Sequence, residues 1–176
     1  MLPKVIKSEE RYQGRAFKVR VDEVEIRPGQ VARLDVIEHT GAITLLPLDD
    51  EQNLWFVRQY RHPARQRLLE LPAGTLNPGE EPALAANREL QEEIGMRAEQ
   101  LEELASFYLA PGYSSELMHV FLAQGLSPSV LAQDEDEVIT VEKVPAAQVM
   151  GLVQRGELHD AKSLVAILLA ARRFGW

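Results

Sequence analysis

The fold that we expect is decided by residues 74–96, GTLNPGEEPALAANRELQEEIGM. A loop containing glycine and proline comes first. Pro82 then suits a first helical turn and Gly95 a C-terminal cap, so we predict a helix from Pro82 to Ile94. At about 100° per residue this helix has one apolar stripe, made of Ala83, Ala86, Leu90 and Ile94.

Three glutamates, Glu89, Glu92 and Glu93, fall together on an arc of about 100° beside that stripe. A solvated acidic face is the common interpretation of such a pattern. However, like charges at positions i and i+4, as in Glu89 and Glu93, destabilise a helix by about 0.2–0.5 kcal/mol. A divalent cation would reverse that effect, and Mg²⁺ binds carboxylates, water and substrate phosphate together. Arg88 could pair with Glu92 at i+4, or could orient a carboxylate such as Glu80.

The spacing of these residues resembles the Nudix box: Gly74, five residues, Glu80, seven residues, and then REL-QEE-IGM from Arg88 to Met96. The resemblance implies a Nudix hydrolase, which cleaves nucleoside diphosphates linked to another moiety with Mg²⁺ or Mn²⁺. It also implies functional positions. The metal ligands would be Glu89 and Glu93, with Glu92 and the carbonyl of Ala73, and the supporting residues would be Gly74, Glu80 and Arg88.

Segments outside the box are similar to those of ADP-ribose pyrophosphatases. They are VRQYR at 57–61, ELPAG at 70–74 and APGYSSE at 110–116, and Pro111 lies 16 residues after Gly95 as in that subgroup. The similarity implies that Arg58, Arg61, Glu70 and Gly112 contact the substrate. Arg61 could instead be a surface arginine in a turn.

The same resemblance implies that the extended N-terminal segment dimerises and that the partner chain helps to hold the adenine. Arg15, Ala16 and Phe17 would line that site, although Phe17 fits a core strand equally well. The catalytic base would be Glu116 or Glu92, acting beside Glu93. The acidic run 134–137 is a rival source of a carboxylate. His119, within an apolar run, is expected to be a hydrogen-bonded structural histidine.

Composition narrows the classes of function. The net charge of −8 argues against broad nucleic-acid binding, which needs a positive surface. There is no cysteine, hence no disulfide framework and no thiolate site. The longest strongly apolar run, 164–171, is too short to span a bilayer, and the N-terminus has no apolar signal core. We therefore expect a cytoplasmic protein without membrane or nucleic-acid partners.

The remaining patterns predict an α+β (mixed α/β) fold, a Nudix-type α/β/α sandwich with an N-terminal antiparallel β extension used in dimerisation. The extension would cover residues 1–40 and the hydrolase domain residues 41–176. The apolar runs 42–48 and 54–57 suit buried strands joined by a hairpin. Strands are also expected near 68–71, 104–109, 117–123 and 138–144. Further helices are expected at 145–154 and 160–174, the last with Leu164, Ile167, Leu168 and Ala171 on one face.

The resulting hypothesis is a homodimeric ADP-ribose pyrophosphatase that forms AMP and ribose 5-phosphate with two to three Mg²⁺ ions, to which Glu70 could also contribute. One alternative is hydrolysis of another nucleoside diphosphate derivative, such as a nucleotide sugar, a flavin dinucleotide or a dinucleoside polyphosphate. The other is a Nudix-like module that senses a nucleotide without cleaving it.

Overall fold

The computed structural model describes residues 2–132 and 138–176. Within these residues, the strands are β1 Lys4–Gln13, β2 Lys18–Arg27, β3 Gln30–Glu38, β4 Ala42–Pro47, β5 Asn53–Arg61, β6 Gln66–Glu70, β7 Ala73–Thr75, β8 Met96–Tyr108, β9 Leu117–Pro128 and β10 Ile139–Pro145. The helices are α1 Pro82–Glu93, α2 Ala146–Gln154 and α3 Ala161–Phe174.

A four-stranded sheet in the order β7-β4-β9-β8 forms the centre of the molecule. Strands β4 and β9 are parallel, and the two outer strands are antiparallel to their neighbours. Because strand side chains alternate between faces, Ile43 and Leu45 pack toward α1, whereas Leu46 and Leu48 pack toward α2 and α3. The predicted α/β/α sandwich is confirmed.

Strand β5 lies in a second sheet, in the order β10-β5-β6. The predicted hairpin between the runs 42–48 and 54–57 is reduced to a tight turn, in which Leu48 and Leu54 form an antiparallel bridge and the backbone N–H of Asp49 donates to the carbonyl of Asn53 at 3.0 Å. Strands β4 and β5 themselves belong to different sheets, so no extended hairpin forms. Both runs are buried, and a continuous apolar run indicates burial without identifying the strand that pairs with it.

Strands β1, β2 and β3 form a third, antiparallel sheet. Several of its apolar side chains are exposed, among them Val5, Ile6, Val31 and Leu34. Backbone hydrogen bonds join its last strand to the loop 110–116, including one of 2.7 Å from Ile37 N to the carbonyl of Tyr113. The division at residue 40 stays a prediction.

The predicted helices occur with small differences in which residues they bury. In α1, Ala83 is exposed and Ala85 is buried in its place. In α3, Leu168 is exposed, whereas Ala166 and Ala170 are buried. None of the described helices has the length and apolar character needed to cross a membrane.

Candidate active site

Two carboxylates of α1 lie directly against β7. The backbone N–H of Ala73 donates a hydrogen bond of 3.0 Å to Oε2 of Glu93. A Cβ atom built on Gly74 would lie 1.8 Å from Oε1 of Glu89. Glu89 is 8% exposed and Glu93 only 3%. The helix thus buries both carboxylates against an edge where one residue has no side chain to obstruct them.

Arg88 contacts the carboxylates that surround it. Its Nε and Nη2 donate to the two carboxylate oxygens of Glu80 at 2.9 and 3.0 Å, and its Nη1 donates to Glu89 at 2.7 Å and to Glu92 at 2.8 Å. The two interpretations of Arg88, pairing with Glu92 and orienting Glu80, are therefore both realised. The hydrogen bond to Glu80 is the largest influence that holds the pKa of Arg88 above its ordinary value.

Glu80 joins this arginine to the loop before the helix. Oε2 of Glu80 accepts from the backbone N–H of Asn77 at 2.9 Å and from its side-chain amide at 3.0 Å. The hydrogen bond from Arg88 is the main cause that lowers the pKa of Glu80, which stays ionised. Glu80 consequently fixes the loop 77–80 relative to α1.

The donor chemistry of this face fits a hard divalent cation. It consists of carboxylate oxygens beside the backbone of Ala73, and carboxylate and carbonyl oxygens are the ligand types of Mg²⁺ and Mn²⁺. Among residues 2–132 and 138–176, no three acidic or histidine side chains converge closely enough to hold a metal as they stand. Arg88 instead pairs with three of these carboxylates, those of Glu80, Glu89 and Glu92.

A second charged group lies where β5, β6 and α3 meet. Arg61 donates to Glu70 through Nε and Nη2, both at 2.9 Å, and Nζ of Lys162 also donates to Glu70. Glu70 is 1% exposed, and its burial is the largest single influence on its pKa, which it raises. Arg61 and Lys162 together outweigh that influence and hold the pKa below its ordinary value. The structure brings the predicted residues Arg61 and Glu70 together, and Glu70 is the counter-ion of two side chains.

Lys162 and its neighbour Asp160 were not among the predicted site residues. Asp160 accepts from Lys162 Nζ and from the backbone N–H of Ser163, both at 2.9 Å, and so caps α3. The available signal was the sequence Asp160-Ala161-Lys162-Ser163, which begins a helix with an N-cap aspartate. That signal identifies a cap but not the buried partner of the lysine.

Arg58 does not join this group. Residues 58 and 61 are three positions apart on β5, so their side chains point to opposite faces of the strand. Arg58 forms a two-pronged ion pair with Glu142 on β10, with N–O distances of 2.5 and 3.2 Å. Its predicted contact with substrate has no support from this placement.

The loop 110–116 lies at the same end of the central sheet as β7. Ala42 pairs with Thr75 on one side and with Met118 on the other, which places Met118 about 10 Å from Thr75. Glu116, half-buried, comes two residues before Met118, and Gly112 is exposed. The rival acidic run 134–137 lies outside the described residues.

The residues predicted to line an adenine site form part of a small cavity of about 270 Å³ in their own chain. Arg15, Ala16 and Phe17 line it together with residues 38–40. The side chain of Ser115 reaches His39, accepting from its N–H at 2.9 Å, so the cavity adjoins the loop 110–116. Phe17 is 40% exposed and is not a core residue.

Two further features lie apart from these groups. His119 Nδ1 is 2.7 Å from Glu103, so the expected hydrogen-bonded histidine is confirmed. A larger cleft of about 800 Å³ is lined by residues such as Asn87, Gln91 and Arg97. Asn87 and Gln91 lie on the side of α1 opposite the glutamates. Their side chains form hydrogen bonds within the helix and with Ala98 and Ser129.

Comparison with known proteins gives consistent similarities. The model of the NUDIX domain matches residues 38–166. The chain is 38% identical over 168 residues to the ADP-ribose pyrophosphatase of Bacillus subtilis (strain 168), covering 93% of this chain and 90% of that protein. It is 36% identical over 166 residues to the methanol dehydrogenase activator of Bacillus methanolicus, with coverage of 93% and 90%. A crystal structure of an ADP compounds hydrolase superposes with a TM-score of 0.87 at 28% identity, covering 99% of this chain and 95% of that one.

Proposed function

Because this chain belongs to the NUDIX domain family, we propose that it hydrolyses the diphosphate bond of ADP-ribose to give AMP and ribose 5-phosphate. Membership of the family makes the protein a Nudix hydrolase that acts on nucleoside diphosphate derivatives. The names of its relatives, ADP-ribose pyrophosphatase and ADP compounds hydrolase, support the choice of ADP-ribose within that class.

The observation that carries the proposal is the buried pair Glu89 and Glu93 against Ala73 and Gly74. Two buried carboxylates are costly unless positive charge is brought to them. Glu89, Glu92, Glu93 and the carbonyl of Ala73 would hold two to three Mg²⁺ or Mn²⁺ ions. When bound, these ions neutralise the diphosphate and make water a stronger acid.

The side chains of the protein would then position the substrate and move a proton. Arg61, at the end of β5, would bind a phosphate oxygen, and Glu70 would orient its guanidinium. Glu116 or Glu92 would accept the proton of the attacking water as it approaches phosphorus in line. Gly112 would let the backbone of its loop approach the substrate.

The N-terminal sheet would complete the adenine end of the site in a homodimer. Its exposed apolar side chains favour association, since large exposed apolar patches are unusual in monomers. Arg15, Ala16 and Phe17 would contact the adenine from the partner chain. We place the enzyme in the cytoplasm, and the lack of cysteine is consistent with that.

A panel of nucleoside diphosphate derivatives with Mg²⁺ tests this proposal, with products identified by chromatography. ADP-ribose should give the highest kcat/KM, and AMP and ribose 5-phosphate should be the products. Glu93→Gln should nearly abolish turnover, while Glu99→Gln, an exposed glutamate of β8, serves as the matched control.

Two results would redirect the assignment. Preference for a nucleotide sugar, a flavin dinucleotide or a dinucleoside polyphosphate would keep the chemistry and change the substrate. Tight binding of ADP-ribose without cleavage of any compound would favour the non-catalytic nucleotide-sensing module.

A further inference from the structure

A buried lysine connects helix α3, through Glu70, to Arg61, the arginine proposed above to bind phosphate. Lys162 donates to Oε2 of Glu70, the oxygen that also accepts from Nη2 of Arg61 at 2.9 Å. The side chain of Lys162 is 12% exposed and that of Glu70 is 2% exposed, whereas Arg61 is 37% exposed. The cluster is therefore buried at Lys162 and partly exposed to solvent at Arg61.

Contacts at the start of α3 hold the side chain of Lys162 in place. Its Nζ contacts the N-cap residue Asp160 at 2.9 Å. In the next position, Oγ of Ser163 accepts from the backbone N–H of Leu71 at 2.8 Å, which ties the start of α3 to the residue that follows Glu70. A surface lysine has no such anchoring, so a role limited to solubility does not explain this geometry.

The charges of the cluster indicate what the lysine does. Arg61 and Lys162 balance Glu70 and Asp160, so that the four charges sum to zero. Without Lys162, the buried carboxylate of Glu70 would have Arg61 as its remaining cation in this cluster, and the sum would be −1. A guanidinium that alone compensates a buried carboxylate has less attraction left for a ligand anion.

We propose that Lys162 is a positioning residue that compensates Glu70 from behind and thereby leaves Arg61 able to bind the diphosphate of the substrate. This inference depends on the proposed function, because it takes Arg61 as the phosphate-binding side chain. The ligand is a nucleoside diphosphate derivative, and Lys162 does not touch it.

Steady-state kinetics of Lys162→Met with ADP-ribose test the proposal. We expect KM to rise about 10-fold, because one compensating charge is lost close to Arg61, with kcat changed by less than about twofold. Lys162→Arg should restore most of the loss in KM. Lys143→Met is the matched control, since Lys143 is 47% exposed and pairs with Asp49 on the surface at 3.3 Å.

A double variant separates charge compensation from packing. Glu70→Gln with Lys162→Met removes one charge of each sign, so its KM should be lower than that of Lys162→Met by about threefold or more. Thermal unfolding of every variant is measured alongside. If Lys162→Met has a lowered Tm but the KM of the wild type, the lysine only stabilises the fold and the proposal is overturned. A higher KM for the double variant than for Lys162→Met would also overturn it.

Binding of inorganic pyrophosphate without metal, measured by calorimetry, gives a second readout. Lys162→Met should bind it more weakly than wild type and Lys143→Met, whereas equal dissociation constants would overturn the proposal. If the wild type fails to cleave ADP-ribose, the proposed function fails on that result alone. The pyrophosphate comparison still decides whether Lys162 supports anion binding by Arg61.

Discussion

Replacing Gly74 by alanine places one methyl group in the space occupied by the carboxylate of Glu89. The new Cβ would lie 1.8 Å from Oε1 and 1.9 Å from Cδ of Glu89. Ordinary contact begins near 3.4 Å, so the carboxylate must retreat by about 1.6 Å. A misplacement of about 1 Å in a catalytic group can lower the rate about 100-fold. We therefore expect Gly74→Ala to lower kcat/KM for ADP-ribose by about 100-fold or more.

The backbone of Gly74 does not require glycine, because its φ is not in the left-handed region. The variant should therefore fold, which circular dichroism and thermal unfolding would verify. Gly151→Ala is the matched control: this glycine lies within α2, and its Cβ would meet only the flexible end of Arg155 at 2.9 Å. That control should keep full activity and gain about 0.5–1 kcal/mol in the free energy of unfolding. Activity of Gly74→Ala within about threefold of this control would refute the placement of Glu89 in the reaction.

Three other predictions concern charge, metal and assembly. The hydrogen bond from Arg88 lowers the pKa of Glu80 below 4.5 in the folded protein, so this ion pair stabilises the fold above that pH, and the stabilisation is lost as the pH falls through the folded pKa. Arg88→Met should therefore lower the free energy of unfolding more at about pH 7 than at about pH 3. Denaturant titration at the two pH values measures this, and an equal loss at both would contradict it. Adding Mg²⁺ should raise the Tm of wild type by about 2–4 °C for each 1 kcal/mol of binding and leave Glu93→Gln unchanged, with NaCl of equal ionic strength as control. Aspartate at both Val5 and Ile6, two exposed apolar residues of the edge strand β1, should convert a dimer to a monomer in light scattering. A wild-type monomer would reject the homodimer.

Much of the site was predictable because it is local. A helix places residues four positions apart on one face, so Glu89 and Glu93 had to lie together once the helix formed. Pro82 and Gly95 set its limits, and the observed range, Pro82–Glu93, ends one residue before the predicted one. The sequence likewise indicated two of the three carboxylate partners of Arg88, namely Glu80 and Glu92, but not Glu89.

Errors arose where pairing partners were distant or ambiguous. The runs 42–48 and 54–57 were correctly recognised as buried strands, but their apolar residues could not indicate that each pairs elsewhere. The stripe of α1 was misassigned at Ala83, because Ala83 and Ala85 have the same side chain and only packing decides which one is buried. Similarly, Leu168 has the right spacing for the core but faces outward.

The sequence by itself determined the length of helix α1, the arc of glutamates on it and the Nudix spacing, which indicates the reaction class. These depend on contacts within 23 residues, where the chain geometry leaves few choices. Only the tertiary structure decided that Glu70 meets Lys162 across 92 positions of sequence and that Arg58 turns away from Arg61. The physical reason is that a buried carboxylate requires a cation, but which cation reaches it depends on where the start of α3 lies relative to Glu70 and Leu71.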